Sequence, residues 1–554
     1  MFKKSKPQQG HLFKDISQQL SSRKQKLLDD SSSWHNVFYR EVISRVDEGI
    51  FSVLYDNGKG RPNAPVKVLL GMVVLKEGQG WSDAQLFDQC RFNLQVMRSL
   101  GMFNIDDDVP VESTYYEFKK ALLEYQKDND KDLLKAAFKK ITIGQVDTHK
   151  VSGKKIRLDS KLINSNIAKS SRLHLILEGL RVGLKNADIG VLKDKVDVSL
   201  YEVLCQLQED NTSNVTFGMT GKERERLLKN LGGALQTILN DHPGLFKNPQ
   251  LLKRIFREQY QVPENDGPDK ETPAPPKLKE GKDIPSDSLQ SVHDPEATYR
   301  KKNTGEHPQK ISGYHSNVTE TCTEENQVNL IVDVDTIQAN KSEAEFLKPT
   351  LEQGRQTMAG AGQPAIEEVI TDGGYDSIKN KDLMSGEASP HWHLAKTKGR
   401  KRAYEMWFDG QGELHATDQA SEDACTIKRS RDGKKYVILS IGRPRRYFAR
   451  EEVEGYIRHQ EIGKGISQEN HNLRANVEST IHQVFHRLKK RNKMVYRGWY
   501  KCHGYVVARA LWVNCTRIHQ KDLQELASFL FVALIHFYGS FLELFVHQKM
   551  KQVA

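Results

Sequence analysis

Cysteine is scarce in this chain. The 554 residues hold six (Cys90, Cys205, Cys322, Cys425, Cys502 and Cys515), far apart and with no Cys-x-x-Cys pair. That argues against a zinc ribbon and against a disulfide scaffold, and fits a reducing cytosol. The opening MFKKSKPQQG carries positive charge, but no apolar stretch follows it, so no secretory signal is expected. A long unbroken hydrophobic run is also missing. The nearest candidate, LASFLFVALIHFYGSFLELFV from Leu526 to Val546, is interrupted by Ser528, His536, Ser540 and Glu543. A span needs roughly 20 mainly apolar residues. The segment reads as a buried helix or one that packs on a partner, with a membrane span as the lesser alternative, and no membrane partner is expected.

What is present is a chain too long for one simple core, so two to four domains are expected. Hydrophobic residues make up 37% and charged residues 28%, the balance of a soluble protein on the polar side. The net charge of +11 suits a polyanionic partner. Residues 1–140 are helical in pattern. APVKVLLGMVVLKEG reads as an apolar helix ended by Gly78. SDAQLFDQCRFNLQVMRSLG reads as one helix capped by Ser82 and closed by Gly101. Thr114 and Glu117 have capping-box spacing. Several short helices with polar connections suggest a small bundle, either of helix-turn-helix type or a plain helical domain without DNA contact.

From Lys154 the period changes. In KKIRLDSKLIN, Ile156, Leu158 and Leu162 share one face of a strand, and Lys155, Arg157, Asp159 and Lys161 the other. Helical patterns return until about Tyr260. Residues 262–293 are rich in proline and charge and poor in large apolar side chains, which predicts a flexible linker or long exposed loop. Then strand, strand, helix and strand patterns (GYHSNVTETC, QVNLIVDVDTI, SEAEFLKPTLEQGRQTMA, AIEEVITDGG) predict an α/β sheet. Residues 400–465 look β-rich. NHNLRANVESTIHQVFHRLKKRNK predicts one strong helix, with Val477, Ile481, Val484 and Leu488 on an apolar stripe and Arg474, Glu478, His482 and Lys489 on the stripe beside it.

Three carboxylates stand out. Asp159 lies on the polar face of a strand, Asp372 ends an apolar strand before two glycines, and Glu478 projects from an amphipathic helix. Two aspartates on neighbouring strands and a glutamate on a packed helix suit magnesium, which takes one or two carboxylates and keeps its other positions for water and phosphate oxygens. Two such ions about 3.5–4 Å apart clamp the attacking and leaving oxygens of a phosphoryl transfer. The plain alternatives are an Asp-Gly turn at Asp372 and an Arg474–Glu478 surface ion pair. Asp333 and Asp335, two apart in LIVDVDTI, compete for the second position. HDPEA (His293–Ala297) reads as turn and N-cap chemistry. HWH, with His391 and His393, lacks the partners of a zinc site.

In this order the pieces resemble bacterial insertion-sequence transposases of the Asp-Asp-Glu type. RPNAPVKVLLGMVVLKEGQGWSDAQLFDQCRFNLQVMRSLG is similar to their N-terminal domain, and IRLDSKLINSNIA to their first-aspartate strand. ITDGGYDS resembles the second-aspartate motif, and LRANVESTIHQVFHRLKKR the Arg-x-x-x-Glu helix. The chain departs from the pattern at His471, where related transposases have tyrosine, and at Phe485, where they have lysine. Lys489 is the nearest base. The resemblance implies a ribonuclease-H-like α/β catalytic core, a mixed sheet with helices, with Asp159, Asp372 and Glu478 as the catalytic, metal-binding triad. Mg²⁺ would be the cofactor, with Mn²⁺ possible in its place.

On that reading the chain divides into a helical DNA-binding domain (1–140), the first part of the core (150–171) and a helical insert (172–261). The linker (262–293), more of the core (294–395) and a β-rich insert (396–465) follow. A core helix with a basic segment (466–520) and a C-terminal apolar helix (521–554) complete it. The implied function is binding of inverted-repeat ends, phosphodiester hydrolysis and strand transfer into target DNA, by a homodimer on DNA in the bacterial cytoplasm, at the nucleoid. The alternatives are a nuclease that cuts without joining and a catalytically silent DNA-binding protein. From Arg474 to Gln520 the bases, which include Arg509 and Arg517, far outnumber the single acid, Glu478. Arg474, His482, Lys489, Lys490, Arg491 and Arg497 are the candidate DNA contacts. KTKGRKR (Lys396–Arg402) and GRPRRYFAR (Gly442–Arg450) add bases, and base readout is expected from the N-terminal domain, whose bases include Arg91, Lys119 and Lys120.

Overall fold

Caps and close approaches decide where the N-terminal helices begin and end. The computed structural model describes residues 1–5, 14–56, 61–262, 275–302, 308–386, 388–395, 403–462 and 467–553. Helices α1 to α7 span Ser22–Asp29, Trp34–Glu41, Val66–Gln79, Asp83–Phe92, Leu94–Ser99, Glu112–Asn129 and Leu133–Thr148. Ser82 caps α4 in a capping box with Gln85, as its sequence suggests. Three details differ from the sequence reading. Gly80, in the left-handed region at φ 72°, ends α3, and Gly78 lies inside it. A Cβ at Gly78 would overlap the Trp512 ring, so this glycine permits close helix packing. Asn93 caps a fresh helix and so splits the expected single helix into α4 and α5. Thr114 lies inside α6, which starts at Glu112 without a side-chain cap.

The remaining elements in chain order are β1 (Lys155–Asn164), then α8 to α12 (Arg172–Gly183, Val198–Glu209, Thr212–Val215, Gly221–Asp241, Pro249–Gln259). Next come β2 (Tyr260–Gln261), β3 (Lys277–Leu278), β4 (Thr298–Lys302), β5 (Gln309–Thr321) and β6 (Ile331–Gln338). After α13 (Leu347–Gly360) run β7 (Glu368–Thr371), α14 (Ile378–Met384) and β8 (His391–Leu394). Strands β9 to β13 (Tyr404–Phe408, Leu414–Asp418, Thr426–Arg429, Lys435–Leu439, Arg446–Ala449) precede α15 (Arg450–Ile462), α16 (Gln468–Phe485) and α17 (Trp499–Val553).

The central sheet is mixed. β1 pairs antiparallel with β5 and parallel with β7, and β7 pairs parallel with β8. The other edge of β5 is shared by β4 and β6, both antiparallel. One hydrophobic core joins this sheet to α2–α7, α16 and α17. The helical insert has a core of its own, built on Ile176, Leu204, Leu235 and Ile255. So has the β-rich insert, on Tyr404, Met406, Ile438 and Val453. The second half of the proline- and charge-rich stretch differs from a wholly exposed linker. β3 pairs with β2, and Leu289 and Val292 are buried in the core of the helical insert. Few apolar residues suffice there because the insert already offers an apolar surface.

α17 runs through position 521 without a break, for 55 residues, or about 80 Å at 1.5 Å per residue. Asp294 and Glu296 cap its start: Gly498 N–H donates to Asp294 (2.9 Å) and Trp499 N–H to Glu296 (2.9 Å). HDPEA thus forms a turn, as its sequence suggests, but its acids serve the start of a helix distant in sequence and not one that follows them. Among the described residues no helix is long and apolar enough to cross a membrane.

Candidate active site

β1 and β7 run side by side in parallel, with Arg157 opposite Ile370. Two positions further along each chain come Asp159 and Asp372. The ladder ends there because β7 stops at Thr371. Asp372 then caps a short 3-10 turn, Gly373–Tyr375, by accepting from Gly374 N–H at 2.9 Å. The plain Asp-Gly turn chemistry is thus present, and it fixes the carboxylate at the strand end.

Helix α16 crosses β1 and β7. Val477, Ile481 and Val484 are buried beneath it, which turns Arg474, Glu478 and His482 along the sheet surface. A buried ion network locks it in place. Arg157 donates to Glu320 (2.7 Å) and to the Leu473 carbonyl (2.7 Å). Glu320 also accepts from Arg517 (2.6 Å) and Thr480 (2.8 Å). Arg509, almost fully buried, donates to the carbonyls of Val484 (3.0 Å) and Gly78 (2.8 Å), so it ties the C-termini of α16 and α3 together. The run of bases in the sequence includes Arg509 and Arg517. Both are engaged within the protein.

Asp159, Asp372 and Glu478 line one open cavity of about 650 Å³, together with Arg474 and His482. Lys161 and Lys302 also line it, and the sequence reading assigned them no role. Burial pushes the Asp159 carboxyl up to about 6, against the opposing Ser160 N–H; the charges of Asp372 and Glu343 push it further, and Arg474 opposes. Glu343 is a fourth acid that sequence reasoning missed. Burial and then Asp372 raise its pKa. Its nearest histidine, His315, lies 3.5 Å away, and burial holds that imidazole neutral by pushing its pKa down to about 3. A Cβ on Gly374 would overlap the Glu343 carboxylate, so this glycine makes room for an acid. No spacing in SEAEF marks Glu343; the only hint is the second glycine of ITDGGYDS.

The remaining candidates fall elsewhere. α16 ends at Phe485, which is buried, so Lys489 is not on the helix stripe expected for it. Lys489 pairs in an isolated bridge with Lys493, and Lys490 and Arg491 follow on an exposed 3-10 turn where Arg491 is left-handed (φ 63°). None of the three lines the acidic cavity. Arg497 lines a different one, with Lys169 and His174, and donates to the Asn166 carbonyl at 2.8 Å. Asp333 and Asp335 face Lys135 at 3.3 and 3.5 Å, which accounts for both. His393 contacts Glu368 at 2.7 Å and His391 at 3.2 Å. Arg443 pairs with Asp418 and Arg450 with Glu454, and Lys396–Arg402 lie outside the described residues.

Among the described residues no three His, Cys, Asp or Glu side chains stand close enough to form a ready-made metal cage. The donor chemistry nevertheless suits a hard divalent ion. Oxygen ligands predominate, same-sign charges are crowded, and magnesium needs only one or two carboxylates beside its waters. No curated protein and no solved structure matches the chain. Residues 26–121, which run from α1 into α6, match the family model described as Transposase domain (DUF772).

Proposed function

We propose that this protein is a DNA transposase of the Asp-Asp-Glu type, with a ribonuclease-H-like core built on the mixed sheet. The observation that carries the reading is the convergence of Asp159, Asp372 and Glu478, from two strands and a helix, on a single cavity. The transposase-domain match in the N-terminal helices supports it independently. Asp159 and Asp372 would hold Mg²⁺, with Glu478 facing them across the cavity. The ion would supply Lewis-acid activation of a water or 3′-hydroxyl and neutralise charge on the leaving oxygen.

The chain's own residues would do the rest. Arg474, Lys161 and Lys302 offset the phosphate charge at the cavity rim. His482, one turn along from Glu478, offers a hydrogen bond to a strand lying on α16. The buried Arg157–Glu320–Arg517 network holds α16 so that Glu478 keeps its distance from the strand ends. The same carboxylates would serve hydrolysis at an inverted-repeat end and attack of the freed 3′-hydroxyl on target DNA. Both steps are in-line displacements at phosphorus. Two ends held together call for a homodimer on DNA.

The open spacing of the carboxylates favours one competing reading, a DNA-binding protein that does not turn over. The test is Mg²⁺-dependent cleavage of a duplex that carries the inverted repeats flanking the reading frame. The parent should cleave it, and Asp372→Ala should lose at least about 100-fold. Equal cleavage by both would sink the triad.

A further inference from the structure

A second cavity, of about 350 Å³, lies between α3, α6 and the first turns of α17, and the proposed chemistry does not use it. It is lined by Leu122 and Leu134, by Tyr496 and Tyr505, and by the charged Lys119, Lys501, Glu77 and Asp83. Two of these side chains lack a direct hydrogen bond or ion pair among the described residues. Tyr505 is 5% exposed, and its hydroxyl has no hydrogen-bond partner among the described residues. A buried hydroxyl left in that state is costly unless a ligand completes it. Lys119 makes no direct ion pair among the described residues, although the charges of Glu77 and Asp83 reach it at longer range. Its ammonium instead lies 5.6 Å from the Tyr496 ring centre and 5.1 Å from that of Tyr115. The other charges nearby are already matched: Lys76 pairs with Asp83 at 2.6 Å, and Tyr496 donates its hydroxyl to Glu77.

A ligand that satisfies this cavity needs a flat apolar body, a polar edge and negative charge. A nucleotide has all three, and only an unpaired one exposes its base face and edge together. The chain itself links this cavity to the acidic one. His486, Leu488 and Asn492 line the acidic cavity, and Tyr496 and Tyr500 line this one. Between them Lys489, Lys490, Arg491 and Lys493 follow one another with no acid. At no more than about 3.5 Å per residue, the backbones at Asn492 and Tyr496 lie within about 14 Å. That is the rise of roughly four nucleotides of a strand. We infer that this cavity holds an unpaired nucleotide of the same DNA strand whose phosphodiester reaches the acidic cavity, with its base against Tyr496 and Tyr505 and its phosphate at Lys119 and Lys501. This rests on the transposase reading and adds a place where a frayed or single-stranded end is gripped.

The test uses the full chain without divalent ions, so that nothing is cut. Fluorescence anisotropy compares a blunt duplex carrying the inverted repeat with the same duplex bearing a four-nucleotide single-stranded overhang. The overhang should tighten binding about tenfold. Tyr505→Phe, which removes only the hydroxyl, should cut that gain below about threefold and leave the blunt duplex unchanged, and Lys119→Met, which keeps the aliphatic stem, should weaken the overhang duplex at least about threefold more than the blunt one. No gain in the parent, a full gain in both variants, or equal losses on both duplexes would each overturn the assignment. So would deoxyadenosine monophosphate binding that the variants lose while the overhang gives no gain, since the cavity would then take a free nucleotide. Failure to bind either duplex would remove the transposase reading as well, and so is told apart from failure of the cavity alone.

Discussion

Glu320 and Asp159 are two carboxylates on neighbouring strands of the same sheet, and their surroundings are opposite. Glu320 is fully buried, faces Arg157 across the β1–β5 ladder and is met by Arg517 and Thr480 as well. Asp159, two residues beyond Arg157, is also largely desolvated, but the charges that act on it most are those of the acids Asp372 and Glu343, ahead of Arg474. One carboxylate is compensated, and the helix over it is locked. The other is crowded by its own kind at the mouth of a cavity. Burial alone does not separate architecture from chemistry here. The sign of the neighbouring charges does.

Glu320 carries the largest effect. Glu320→Ala leaves two buried guanidinium groups without their partner and should cost about 3–5 kcal/mol in urea unfolding. A loss below about 1 kcal/mol would mean that the network does not hold α16. Asp159→Asn should act in the opposite direction. The Asp159 carboxyl, at about 6 in the folded chain, binds its proton more tightly than a carboxylate of the unfolded chain does. The parent therefore loses stability as pH rises from about 4 through 6, and carries the full penalty at pH 7. In EDTA, Asp159→Asn should be more stable than the parent by about 1–3 kcal/mol at pH 7 and no more stable below about pH 4. A variant with unchanged stability at both values would contradict the charge crowding. Gly374→Ala sharpens the same point with the smallest effect. The atom its Cβ meets is the tip of a flexible glutamate, so it should cost less than about 1 kcal/mol. By displacing Glu343 it should also narrow the pH dependence that Asp159 gives the parent.

Much of this was legible in the chain. The alternation in KKIRLDSKLIN places Asp159 on the polar face of β1, and the spacing of Val477, Ile481 and Val484 aims Glu478 along the sheet. Asp-Gly-Gly marks the end of β7. These are local signals, and local periodicity carries them. The missed features depend on residues distant in sequence. Glu343 reaches the site from a 3-10 turn, Glu343–Phe346, that the capping box of Ser342 and Glu345 alone would explain. Gly78 looked like a helix stop, yet its missing side chain serves Trp512, more than four hundred residues away. Arg509 and Arg517 looked like part of a basic surface, because a run of bases does not say which of them meet buried carbonyls or Glu320. Lys489 fell off the helix for a similar reason: α16 ends where Arg509 takes its last carbonyls.

The proposed function requires Asp159, Asp372 and Glu478 to act as one unit on a phosphodiester. Its most direct test is Mg²⁺-dependent end cleavage by Asp159→Asn, Asp372→Asn and Glu478→Gln, singly and combined. The expected result is that each single variant falls at least about 100-fold, and that combining them adds little further loss, as for groups that work together. A single variant that cleaves at the parent's rate, or losses that multiply independently, would contradict it.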